Sequence, residues 1–444
     1  MLYSWPLNYE TLKVFQNYSK AINPENQKNF LIRKSIQKKA NVILIYDLLL
    51  FQSIIKLLSL KSPLKMNAII AKFYSDKTWV SPDAIVQLKK TAELPGIFYV
   101  AAMPDIHPGP GTPGGAAFIS KNLIHPKLIG GDIGCGMQLC STSIDIKTNI
   151  RQLAGKIGSI DNPFQGDFSE IKLHYRLENN NFLKSLGTIG GGNHFAELQV
   201  FTKIFDQKMI DLLDLNPKKA ILLIHSGSRG YGQNVLNNFN AKFGAKPLEA
   251  HSQDGLEYLS NHDEAVRYAK ANRELIAKRF GEKTGSVIKP LLDLCHNFIE
   301  KKQTSEGPIW IHRKGAAPSD SGLVVIPGSR SSFTYIVKPL GDGIANAFSL
   351  AHGAGRKISR SQSEDKFGRL SHEELQRPRD KKNGIDNYVI CENKQLLRQE
   401  HGKAYKDINQ VIGDLKDLGL IEVVAILKPV ITYKTRSDSE DGDG

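Results

Sequence analysis

The sequence predicts an α+β fold built as one large domain, and three observations predict it. Short β-rich runs bounded by Gly or Pro recur along the chain. Segments with helical apolar spacing are mixed among them. No internal repeat and no linker-like break divides the 444 residues.

In chain order, MNAIIAKFYS, opening at Met66, reads as the first strand, so the compact fold is expected to begin there. SPDAIVQLKKTAEL (81–94) reads as a helix, with Ser81 at the N-cap, Pro82 at the first helical position and Ile85, Leu88 and Leu94 on one stripe. IFYVAAM (97–103), GMQLCSTSI (136–144), HFAELQV (194–200), KAILLIHS (219–226), LVVIPGS (323–329) and FTYIVKP (333–339) read as strands. Residues 261–301 carry a helical pattern, and 404–420 another, ended by Gly419. The expected division is an N-terminal extension (1–65) whose order the sequence leaves open, a catalytic domain (66–434) and a disordered acidic tail (435–444).

Composition narrows the class. A hydrophobic content of 41% is enough for a substantial core, and the net charge of +14 favours polyanionic partners such as nucleic acid or nucleotides. Four cysteines are too few for a disulfide framework at this length, which points to a reducing compartment such as the cytoplasm. The apolar stretch NVILIYDLLLFQSIIKLLSL (41–60) is interrupted by Asp47, Gln52 and Lys56 and starts too late for a signal peptide, so a buried helix or a poorly ordered extension is expected rather than a membrane span.

The unusual polar residues gather at strand ends. In GGDIGCGMQL, Asp132 and Cys135 stand three apart among four glycines, which lets a carboxylate and a thiolate face one point. His194, His225 and His296 each lie at the edge of an element beside glycine or a small polar residue, His296 closing the helical stretch LLDLCHN. Each histidine alone reads as a structural group. Five candidate ligands together exceed a closed zinc site and suggest two ions sharing Cys135 as a bridge. HSGSRGYG (225–232), HRKGAAPSDSG (312–322) with Arg313 and Lys314, IPGSRSSFTY (326–335) and HGAGR with Arg356 are basic, glycine-flanked loops suited to phosphate. His352, with glycine at 353 and 355, is open to four roles: base, ligand, structural group or nucleophile. On these residues alone a binuclear metal phosphoesterase and a noncatalytic RNA-binding factor both stand open.

MPDIHPGPGTPGG, GGDIGCGMQL, GTIGGGNHFAELQ, HSGSRG, HRKGA, PGSRSSFTY, AHGAGRKISRS and AYKDI, in order between Met66 and Lys434, together resemble the RtcB family of RNA ligases, also called tRNA-splicing ligases. The start at Met66 and DIHPGPGTPGG are similar to the subfamily encoded beside peptide chain release factor H. The resemblance implies one mixed domain with β-sheets flanked by helices around a central metal-containing cleft. It implies a GTP- and Mn2+-dependent enzyme with two ions, joining RNA 3′-phosphate or 2′,3′-cyclic phosphate ends to 5′-hydroxyl ends of broken tRNA or rRNA, with a functional link to release factor H. The guanylylated histidine maps onto His352, and the metal ligands onto Asp132, Cys135, His194, His225 and His296. Guanylate-binding positions map onto Asn193, His194, Phe195, Glu197, Asn297, Pro327, Gly328, Ser329, Arg330, Thr334, Gly353, Ala354, Gly355, Tyr405 and Lys434. Manganese comes from the resemblance alone, since Cys with His leans by itself toward zinc. Arg330 and Phe333 replace smaller residues, the chain continues past Lys434, and residues 1–65 have no counterpart.

Overall fold

The computed structural model describes residues 68–437 apart from Glu306. The stretch 41–60 and residues 438–444 lie outside the described residues. Among the described residues no helix is long and apolar enough to cross a membrane.

Two sheets carry the architecture, which is α+β as expected. A five-stranded sheet runs in the order Ile69–Lys72, Ile97–His107, Gly114–Ser120, Gly307–Lys314, Asn297–Thr304. Its first pair is parallel and the rest are antiparallel. The larger sheet runs Val324–Pro327, Thr334–Pro339, Ile421–Thr435, Phe195–Ile204, Lys219–Ser226, Gly136–Asp145, Ile288–Cys295, with Tyr388–Cys391 also paired to Ile421–Thr435. Its central strands are buried on both faces, which is why KAILLI reads as a continuous apolar run rather than an alternating one. Ile421–Thr435 extends one residue past the expected end of the catalytic domain, and Arg436 donates to the carbonyls of Gly158 and Ala154.

The first helix is Pro82–Ala92, with Pro82 leading it and Leu88 buried. Ser81 holds the N-cap place with no side-chain bond to the helix, so the pre-set φ of proline does the starting. The second helical expectation needs correction. The long helix is Gln253–Thr284, capped by the Ser252 hydroxyl and stopped at Gly285 in the left-handed region (φ 68°). The rest of the expected stretch, up to residue 301, falls instead in two strands, Ile288–Cys295 and Asn297–Thr304. LLDLC has apolar residues that suit either period, and pairing with Gly136–Asp145 settles it as strand. The last helix starts later than expected, at Ile408, because Gly402–Ala404 is a separate 3-10 turn.

One consequence of that correction concerns His296. Cys295 ends a strand of the larger sheet and Asn297 begins the edge strand of the smaller one, so His296 stands alone at the crossing between the sheets. Its N–H donates to Cys135 O at 2.7 Å, and its carbonyl accepts from Ala316 N at 3.1 Å.

Candidate active site

The five expected metal ligands converge. Asp132 Oδ2 lies 3.2 Å from His194 Nε2, which lies 3.4 Å from Cys135 Sγ. Cys135 Sγ lies 3.1 Å from His225 Nε2, which lies 3.3 Å from His296 Nε2. The turn that brings Asp132 and Cys135 together depends on Gly134, whose φ is 75° and where a Cβ would stand 2.7 Å from Ala269 Cβ of the long helix.

These donors fit a metal better than they fit one another. His225 Nδ1–H donates to Asn193 O at 3.2 Å, which leaves the Nε2 lone pair directed at the Cys135 sulfur and the His296 ring. Burial holds His225 and His296 well below the usual histidine range, so both are in the neutral, ligating form. Burial also pushes the Cys135 thiol well up, and Asp132 adds to it. For Asp132, burial acts to raise the carboxyl, yet His194 outweighs it and holds the group at about 2. Histidine nitrogens, a sulfur and a carboxylate at these separations are the donor set of a divalent cation site.

His352 sits beside this cluster, its ring 4.6 Å from that of His296. Its Nδ1 is 2.6 Å from Asp105 Oδ2, and its backbone N–H reaches the same oxygen at 3.2 Å. Asp105 is fully buried, so the carboxylate fixes both the ring and its tautomer: Nδ1 carries the proton and Nε2 keeps a lone pair. Asp105 was not singled out from sequence, though it lies within MPDIHPG. The signal was present as an acid inside an apolar strand, where an uncompensated charge would be costly.

Gly355, which lines the cleft, also has a steric task. At φ 69° its missing Cβ would fall 2.0 Å from Asp105 O, so glycine there lets the His352 segment close on the Asp105 strand.

The expected guanylate-binding residues largely share one cleft of about 290 Å³ with the expected metal ligands Asp132, Cys135, His225 and His296. Asn193, Phe195, Glu197, Asn297, Tyr405 and Lys434 line it, as do the runs Pro327–Arg330 and His352–Gly355. Thr334 stands behind the wall, where its hydroxyl accepts from Gln199, which in turn holds Glu197. His194 opens instead onto an adjoining cleft of about 910 Å³ that also receives Arg229, Lys314 and Arg360. Arg330 is buried and donates to Leu397 O at 2.9 Å. Burial pushes the Glu197 carboxyl up to about 7, against the Thr432 hydroxyl and the Gln199 amide. Burial likewise acts on Glu400, but Lys434, Arg356 and Arg360 overcome it and hold the carboxyl at about 2.

Two of the basic residues expected to face phosphate do other work. Arg313 is fully buried, paired with Glu300 at 2.6 Å and bonded to Ser349 Oγ and Phe348 O. Strand alternation turns Arg313 inward while Lys314 reaches the cleft. Arg356 donates to Glu400, Gln399 O, Ser363 and Ile358 O and lies over the Tyr405 ring, so it braces the wall. Arg313→Lys, which keeps charge but loses the planar fork, is expected to cost about 2 kcal/mol in denaturant melts. GTP affinity of the folded variant should stay unchanged; a tenfold loss would return Arg313 to the cleft.

A family model described as tRNA-splicing ligase RtcB matches residues 87–180 and 165–435. The chain belongs to the RtcB family. An RNA-splicing ligase RtcB2 of Escherichia coli (strain ATCC 25922) is 41% identical over 362 residues, covering 81% of this chain and 94% of the relative. A tRNA-splicing ligase RtcB of Methanococcus maripaludis is 29% identical, covering 79% of this chain and 91% of the relative. The RNA-splicing ligase RtcB of Escherichia coli K12 is also 29% identical, covering 82% and 97%. The matched residues include Asp132, Cys135, His194, His225, His296 and His352.

Proposed function

We propose that this chain, an RNA ligase by family, joins RNA 3′-phosphate or 2′,3′-cyclic phosphate ends to 5′-hydroxyl ends, using GTP and a guanylylated His352. The observation that carries the reading is the His352–Asp105 pair set against a five-residue metal cluster. Asp132, Cys135, His194, His225 and His296 would hold two Mn2+ ions, which supply Lewis acidity beside phosphate when bound.

The protein groups then divide the work. Asp105 holds the Nδ1 proton, so His352 Nε2 attacks the α-phosphorus of GTP; a P–N bond forms, the bond to pyrophosphate breaks and pyrophosphate leaves. A 2′,3′-cyclic end is first opened by water to the 3′-phosphate with a free 2′-hydroxyl. An oxygen of the RNA 3′-phosphate next displaces the imidazole and takes the guanylate, returning His352 to its starting form. The 5′-hydroxyl oxygen finally attacks the activated 3′-phosphate, its proton passing to solvent, and GMP departs. Arg229, Lys314 and Arg360, on the adjoining cleft, provide the charge an RNA backbone needs. A cytoplasmic setting and a functional link to peptide chain release factor H belong to the same reading.

The test is ligation of two RNA strands, one ending in 3′-phosphate and one starting with 5′-hydroxyl, with GTP and Mn2+. Joined product with GMP release is expected. Phosphate release without joining would instead make the protein a metal phosphoesterase.

Glu197 gives a pH dependence. A guanine edge offers N–H donors, which call for the ionised, acceptor-only carboxylate. With the Glu197 carboxyl raised to about 7, GTP affinity should climb as pH rises through that value and level off above it. Titration by calorimetry between about pH 6 and pH 8 checks this. Glu197→Gln should bind more weakly and without that slope; an unchanged slope would remove Glu197 from the site.

A further inference from the structure

Arg273 lies in the interior of the helix Gln253–Thr284 with a fully buried side chain, an expensive place for a guanidinium. An ion pair alone would explain part of it: Nε and Nη2 reach Asp293, the latter at 2.6 Å. The remaining donors go elsewhere. Nη1 donates to Gly134 O at 2.8 Å and to Ser226 O at 2.7 Å, and Nη2 also reaches Cys295 Sγ at 3.3 Å. Gly134 precedes Cys135, Ser226 follows His225 and Cys295 precedes His296. One planar group therefore grips the neighbour of three of the five ligands, and its five N–H groups are all used.

The preceding residue extends the pattern. Asn272 Oδ1 accepts from Gly187 N and Thr188 N, at the start of the glycine run leading to His194. Its Nδ2 donates to Thr188 O, Ser226 Oγ and Gly227 O. Four chain segments far apart in sequence, around Gly134, Thr188, Ser226 and Cys295, are thus held in register from behind by a helix that contributes none of the five candidate ligands.

We propose that Arg273 is the positioning residue of the metal centre, setting the spacing of Cys135, His225 and His296 through the backbone beside each. The proposal rests on the reading that these residues bind divalent cations. A lysine, with one nitrogen in place of a planar fork, keeps the charge but cannot reach all these acceptors at once.

The test uses the full chain without nucleotide. Mn2+ affinity is measured by calorimetry, and Co2+ binding by the visible absorption its thiolate and imidazole ligands produce. Arg273→Lys should weaken binding of both ions about ten- to hundredfold and change the Co2+ spectrum, as losses behind a ligand shell typically do. Arg313→Lys serves as the matched control: a buried arginine whose hydrogen bonds go to Glu300, Ser349 and Phe348, none of them next to a candidate ligand, expected to lower the melting temperature while leaving metal affinity alone. Should Arg273→Lys not fold, Asp293→Asn is measured instead; it leaves the arginine in place but loosens its aim, and about a tenfold loss of affinity is expected. Wild-type affinity and spectrum in the folded variant, or equal losses in the Arg313→Lys control, would overturn the proposal. If the unaltered chain binds neither ion, the metal reading itself fails, a different result from normal binding by the variant.

Discussion

His352→Ala is expected to leave no covalent guanylate on the protein. Incubating the full chain with α-labelled GTP and Mn2+ and separating it under denaturing conditions should show a labelled band for the unaltered chain and none for the variant, a loss beyond about 10⁴-fold in adduct formation. The imidazole contributes no atom to the chain of ligand contacts running from Asp132 to His296, so Mn2+ affinity should remain. Ligation and labelling should therefore fall together while metal stays bound. A labelled band that survives the change would place the nucleophile elsewhere, and loss of metal would make His352 a ligand.

The second large effect belongs to Asp105→Asn. The side chain keeps its size, so the strand Ile97–His107 should fold normally, but the amide puts an NH2 donor group where the carboxylate offered only acceptors. His352 Nδ1 can then accept rather than donate, which moves the proton to Nε2 and removes the reacting lone pair. By comparison with triads in which an acid holds a histidine tautomer, a loss of about 10³- to 10⁴-fold in the guanylylation rate is expected. Single-turnover labelling at several pH values, with melting temperature as a fold control, measures it. A rate within tenfold of normal would show that Asp105 only buttresses the backbone.

The five candidate ligands were visible in the sequence through local features, a histidine, cysteine or aspartate at the edge of an element beside glycine or a small polar residue. What surrounds them was not. Asp105 meets His352 across 247 residues, and nothing near either in sequence marks the pairing. Arg273 looks like an ordinary polar residue of a long helix until the helix is packed against Gly134, Ser226 and Cys295. Arg313 and Lys314 read alike as cations in one loop, yet the alternation of a strand puts one in the core and the other on the cleft. LLDLCHN went wrong for a related reason: its apolar residues suit both periods, and the break at Gly285 was the available warning. Local chemistry survives translation into sequence; the choice of face and partner is made by packing.

His296 stands alone where the chain leaves one sheet and enters the other. Its bond to Cys135 O and the pairing of Cys295 with Gly136 tie it to the larger sheet, at whose strand ends the other candidate ligands also stand, whereas Asp105 belongs to the smaller sheet. A chain with both sheets formed but undocked would keep the five candidate ligands together and leave Asp105 apart from them. On the proposed function, uptake of metal would then report that the larger sheet is built, and guanylylation that the two sheets have met.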